Sequence, residues 1–129
     1  MTQEDKNLLL KDLAARLPYG VIIHLVELNE DEELYCLNIP QEGLYTRSLE
    51  HNNVTTLAPI EDIKLYLRPM SSMTEEEKKK LGRISCEGNI EHKYGIFYRS
   101  QDYLNSIHVD YRGLIEKGLA LEAPEDMYK

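Results

Sequence analysis

The run Val21-Ile22-Ile23-His24-Leu25-Val26-Glu27-Leu28 constrains this chain more than any other stretch. It is β-branched and nearly continuous in its apolar character, which fits a central strand. Asn29-Glu30-Asp31-Glu32-Glu33 breaks it with consecutive carboxylates, and Leu34-Tyr35-Cys36-Leu37-Asn38-Ile39 resumes the apolar pattern. Two such runs around a polar break predict a hairpin with an acidic tip. The tip lacks both the alternating oxygen ligands and the glycine of a calcium loop, so a solvated turn is expected.

Helix signals flank this sheet signal. Thr2 is placed to cap a helix with Glu4 and Asp5 in its first turn, and Leu10, Leu13 and Leu17 fall on one face. Pro18 ends that helix, giving a span of about 3–16. Residues 40–53 read as loop with a short edge strand at 44–49, and 54–57 as another strand. Pro59 suits a first helical position, and Ile60, Ile63 and Leu67 follow at helical spacing, although Ile63, Leu65 and Leu67 also alternate. Thr74 with Glu77 is a capping box, Glu75–Lys79 and Glu76–Lys80 pair along the helix, and Gly82 is the expected stop. Residues 83–87 look like a strand, and further strand is expected within 90–98. Ser100 should cap a helix carrying Tyr103, Leu104 and Ile107. A second short helix bears Leu114, Ile115 and Leu119, before a docked extended tail. The whole predicts one α+β domain over residues 1–129: an N-terminal helix, a small mostly antiparallel sheet, and C-terminal helices covering one face.

Composition narrows the classes. A chain of 129 residues buries enough surface to fold without a disulfide or metal staple. The net charge is −8 with no dense basic block, so nucleic acid is not an expected partner. Nine tyrosines stand beside one phenylalanine and no tryptophan, a set suited to core boundaries and contact surfaces. Cys36 and Cys86 lie far apart and read as reduced structural thiols. The polar start MTQEDKNLLLKD resembles neither a secretory signal nor a membrane span, so a cytoplasmic location without a membrane partner is expected.

Chemistry-bearing residues concentrate at the joint His108-Val109-Asp110-Tyr111-Arg112-Gly113. If the backbone there is extended, His108 and Asp110 share a face and could act as a general base or as part of a metal site. The plainer expectation is that Asp110 caps the following helix, while His108 ends the previous one in a setting that favours its protonated form. A metal site needs a third ligand, for which His24, His92 and Cys86 are the candidates. Tyr98, Tyr103, Tyr111 and Arg112 are the candidate binding residues, since Tyr and Arg are enriched at binding hot spots. No phosphate-cradling glycine loop, GxSxG or HExxH occurs.

Three blocks, LLLKDLAARLPYGV (8–21), YLRPMSSMTEEEKK (66–79) and YLNSIHVDYRGLIEKGLALEAPEDMYK (103–129), resemble a family of small uncharacterised gut-bacterial proteins, some carried on mobile or phage-derived elements. The resemblance covers about half the chain, with Tyr103 where the family pattern has Trp and Val109 where it has a bulkier aromatic. It implies a cytoplasmic bacterial protein and brings no activity, cofactor or catalytic residue. The expected function is a non-enzymatic protein-binding or regulatory module, with neither cofactor nor resident metal, meeting another protein or its own copy. The alternatives are a metal-assisted or His-based hydrolase centred on His108 and Asp110, and an acidic mimic of DNA.

Overall fold

The computed structural model describes residues 1–51, 54–88 and 93–128, apart from the side chains of 85–88 and 93–99. Helix α1 (Gln3–Arg16) starts where expected, with the Thr2 hydroxyl accepting from the Asp5 amide. A 3₁₀ turn at Leu17–Tyr19 and Gly20, at φ +69°, lead the chain into the sheet. Strands β1 (Ile22–Leu25), β2 (Glu30–Asn38), β3 (Gly43–Ser48), β4 (Thr55–Pro59), β5 (Ile63–Leu67) and β6 (Ala120–Glu122) pair in the order β4-β3-β2-β1-β5-β6. Every pairing is antiparallel except β5 with β6. Helices α2 (Glu75–Gly88) and α3 (Lys93–Ser106) pack on each other, and α3 also touches α1. The chain is thus a single small α+β domain.

One face of the sheet holds the core. Ile23, Leu25, Leu34, Leu44, Ala58, Ile63, Leu65 and Leu67 bury there, against Leu9 and Leu13 of α1 and Leu114 and Leu119 after the joint. A second cluster of Met73, Leu104 and Val109, with Leu81, Ile107 and Tyr111 beside it, joins the α2–α3 pair to the joint.

Several local expectations give way to tertiary context. The hairpin turn is Val26–Asn29, not the acidic run, and Asn29 takes the left-handed φ of +54° that asparagine tolerates. The carboxylates instead enter β2, where each of three finds a partner across the sheet. Asp31 meets His24 at 2.7 Å, Glu32 accepts from the Thr46 hydroxyl at 2.7 Å, and Glu33 faces Arg47 at 3.9 Å. The helix expected from Pro59 shrinks to a 3₁₀ turn at Ile60–Asp62, and the alternating reading of Ile63, Leu65 and Leu67 prevails as β5. A strand flanked by β1 and β6 buries three side chains on one face, and that outweighs helical spacing.

The capping box forms as read: the Glu77 amide donates to the Thr74 hydroxyl at 3.1 Å, and the Thr74 amide to the Glu77 carboxylate at 2.8 Å. Gly82 does not stop α2, because a glycine with nothing within 4 Å of its absent Cβ only weakens a helix. Residues 83–87 are therefore helix, not strand. Ser100 lies inside α3 rather than at its start, and residues 93–98, expected as strand, are helical; residues 89–92 lie outside the described residues. The short helix expected after the joint is a series of turns over 114–118, closed by Gly118 at φ +74°. The extended tail is present as β6.

Two polar devices fix this arrangement. Asp12 and Arg16, both fully buried, pair at 2.7 Å; Asp12 also accepts from Arg112 Nε at 3.0 Å, and Arg16 Nη2 donates to the Val109 carbonyl at 2.8 Å. The Tyr128 hydroxyl sits where the β1–β5 ladder ends, accepting from the Ile22 amide at 2.9 Å and donating to the Tyr66 carbonyl at 2.7 Å. Asp12→Ala strands two guanidiniums and should cost about 3–5 kcal/mol in denaturant-monitored unfolding. Tyr128→Phe removes both bonds while keeping the ring, and should cost about 1–3 kcal/mol by the same measurement.

Candidate functional site

The joint is built by a bridge between β5 and the end of α3. The Arg68 amide donates to the His108 carbonyl at 2.7 Å, and the Asp110 amide to the Arg68 carbonyl at 2.8 Å. Between these bonds His108 turns into the left-handed region at φ +62°, so the backbone is not extended there. The two side chains have different partners. The Asp110 carboxylate accepts from the Leu114 and Ile115 amides, both at 3.0 Å, capping the turns beyond it. The His108 ring stacks on Tyr128, with centroids 3.7 Å apart and planes 14° from parallel.

Burial, then the charges of Arg16 and Arg68, push the His108 imidazole down to about 4. This corrects the expectation of a protonated histidine at a helix end: a buried ring next to two guanidiniums stays neutral. Its Nδ1 is buried and has no hydrogen-bond partner among the described residues. A cleft of about 650 Å³ opens at the joint, lined in part by Arg68, Glu77, His108, Glu122, Glu125 and Tyr128. Arg68 and Glu77 close a bidentate pair at 2.7 and 2.8 Å, and that guanidinium holds the Glu77 carboxyl down at about 2.

The remaining candidates sit elsewhere. Tyr111 donates to Asn105 and accepts from Arg112, which also reaches Asp12, so both members belong to the buried network. Tyr103 is half-buried with the Lys80 ammonium 5.1 Å from its ring centre. The side chains of Tyr98 and Cys86, and all of His92, lie outside the described residues. His24 is on β1, paired with Asp31 and edge-on to Tyr66 at 6.0 Å. Burial and the neighbouring Asp31 carboxylate push the Tyr66 phenol up. Among the described residues no three His, Cys, Asp or Glu side chains gather as a metal site would require. No helix among them is long and apolar enough to cross a membrane.

Sequence reasoning passed over the second face of the sheet. Across it run Lys64 and Tyr66 on β5, Ile22 and His24 on β1, Asp31 and Glu33 on β2, Tyr45 and Arg47 on β3, and Thr55 and Leu57 on β4. A register shift between Leu34 and Cys36 inserts Tyr35 as an extra residue, and its ring lies under Arg47, 5.3 Å from the guanidinium. Tyr35 is 51% exposed and Leu57 53%. The signal was available in β3, where Leu44 and Thr46 alternate with Tyr45 and Arg47, but a single strand does not tell which face stays bare.

Among the described residues these features define a one-layer sheet with a helix-covered face, a bare aromatic face, and a cleft at one end. The chain matches no family model, no curated protein and no solved structure.

Acid sensitivity arises from two groups at the joint. His108 is neutral when folded but titrates near 6.5 when unfolded, so the unfolded chain binds more protons between those values. Its contribution is complete above pH 6.5 and fades as pH falls to about 4. Glu77, depressed from 4.5 to about 2, supplies a second loss as pH falls through that lower range. Unfolding free energy measured against pH should therefore decline in two stages, and His108→Asn, which tolerates the positive φ, should remove the first while keeping the second.

Proposed function

We propose that the chain is a small non-enzymatic protein-binding module of the bacterial cytoplasm, of mobile-element origin, whose docking surface is the bare face of the sheet. The observation that carries this reading is the half-exposed Tyr35–Arg47 stack beside Leu57, large amphipathic side chains held on rigid strands. Tyr and Arg in that setting combine broad contact area with little conformational entropy to lose, as binding hot spots do. The net charge of −8 favours a partner with a basic surface over a second copy, because two such chains repel. A tyrosine-bearing contact surface was expected in the C-terminal block; the reading moves it to the sheet, because Tyr111 and Arg112 already satisfy one another inside the domain.

The other readings draw less support. A hydrolase on His108 and Asp110 would need their side chains to converge, whereas Asp110 is engaged by two amides. A DNA mimic would need an array of carboxylates, but Asp31 and Glu33 on the bare face alternate with Lys64, His24 and Arg47.

Affinity capture with the whole chain from its source cells, paired with the double variant Tyr35→Ala/Leu57→Ser, tests the proposal. Both side chains are exposed, so the thermal midpoint should hold within a few degrees, while a stoichiometric partner is lost. A partner retained by the double variant, or a wild-type chain whose only association is with itself, overturns it.

A further inference from the structure

The two edges of the sheet are unlike. On one side β6 runs for only three residues, carries Glu122 and is followed by Pro124, features that keep a strand edge from pairing further. On the other side β4 is five residues long, Thr55-Thr56-Leu57-Ala58-Pro59, with no charged side chain and an unbroken register against β3. Its proline withholds a donor only at the last position.

The register decides which backbone groups of β4 are spare. Just beyond the strand at either end, the Ser48 amide donates to the Val54 carbonyl and the Ile60 amide to the Glu42 carbonyl, both at 3.0 Å. Bonded and non-bonded pairs alternate along an antiparallel ladder, so Thr56 opposite Thr46 and Ala58 opposite Leu44 make the bonds to β3. The amides and carbonyls of Thr55 and Leu57 therefore point away from β3, and none has a partner among the described residues. The Val54 and Leu57 side chains along this edge are half exposed.

A strand added here would extend the bare face, since Thr55 and Leu57 share that face with Tyr45 and Arg47. Charge selects the owner of the strand. Glu50 before β4 and Glu61 after it are exposed, and a net charge of −8 on each chain opposes a second copy.

We propose that the outer edge of β4 takes up an extended segment of a basic partner as a further strand. Main-chain bonds to Thr55 and Leu57 supply the affinity, and Lys or Arg at the ends of the segment is drawn to Glu50 and Glu61. The inference rests on the docking reading and narrows it to one mode of recognition.

The test titrates the isotope-labelled full chain with the blocked peptide Lys-Thr-Val-Thr-Val-Lys, following the backbone amide signals. Saturable shifts centred on Thr55 and Leu57, with slowed hydrogen exchange of those amides, are expected. The same peptide ending in Glu instead of Lys should bind roughly three- to tenfold more weakly. Methylating the peptide nitrogens at both valines, or at both threonines, should abolish binding in one case and spare it in the other, because only alternate residues bond to a neighbouring strand. Thr55→Pro removes one outward donor where edge strands tolerate proline, and should weaken binding roughly three- to tenfold, while Thr55→Val should not. If Thr55→Pro fails to fold, the methylated peptides still decide. Shifts confined to Tyr35, Tyr45 and Arg47, with the edge amides unmoved, overturn the strand addition and leave the bare face as the docking surface. No saturable change through several millimolar peptide, equal binding of the Glu-ended peptide, or protection of Thr55 and Leu57 that grows with protein concentration alone also overturns it. Failure of the docking reading itself is read separately, from the capture with Tyr35→Ala/Leu57→Ser.

Discussion

A carboxylate with no access to water sets the terms for the rest of this fold. Asp12 is fully enclosed, which is tolerable only because Arg16 and Arg112 converge on it from two parts of the chain. Arg16 in turn reaches the Val109 carbonyl, so α1 and the joint are registered to each other by charge-assisted hydrogen bonds rather than by apolar contact alone. Once that register is set, Leu9 and Leu13 face the sheet, Val109 seals the second cluster, and His108 lies where Tyr128 covers it. Replacing the ionic cluster by apolar side chains of similar size would not necessarily weaken the domain. What the cluster fixes is which side of α1 meets the joint, through Arg16 on the Val109 carbonyl and Arg112 on Asp12.

The two faces of the sheet divide the work of the molecule. One is closed by α1 and the turns after the joint, and holds the larger of the two apolar clusters. The other carries aromatic and charged residues in cross-strand pairs such as Arg47 with Glu33 and Tyr45 with Leu57. Such pairs stabilise the sheet while leaving their outer surfaces open to a partner. The joint forms a third region, in which the Arg68–Glu77 bridge ties α2 to the end of β5 and shapes the cleft wall.

Local signals in the sequence were dependable where the local chemistry closes on itself. The Thr2 cap, the Thr74–Glu77 box and the break at Pro18 need only neighbouring residues, and all stand where the sequence placed them. The class and the mostly antiparallel sheet were legible too, because the β1 and β2 runs are strongly apolar. Failures came where distant partners decide. Residues 59–67 carry two periods at once, and only the neighbouring β1 and β6 select the strand. Residues 83–98 carry weak signals of either kind, and helix prevails where α2 and α3 pack together. Asp110 caps the turns after it, as the plainer expectation had it, whereas the positive φ of His108 between the two Arg68 bonds is set by a distant strand and cannot be read from residue types. Tyr128 gave no sequence signal at all for its place between β1 and β5.

That tyrosine also bears on how fast the domain is made. Its hydroxyl joins the Ile22 amide across 106 positions of sequence, and Arg16 meets Val109 across 93. Chain ends must find one another by diffusion before either bond can form, and the entropy of closing such wide loops is lost before the contacts repay it. The helices and the β1–β2 and β2–β3 hairpins can assemble early, leaving a half-sheet whose β1 edge waits for β5 and the tail. Both bonds thus tie the completion of the sheet to the distant segment 108–128, a kind of contact that slows folding relative to local pairing.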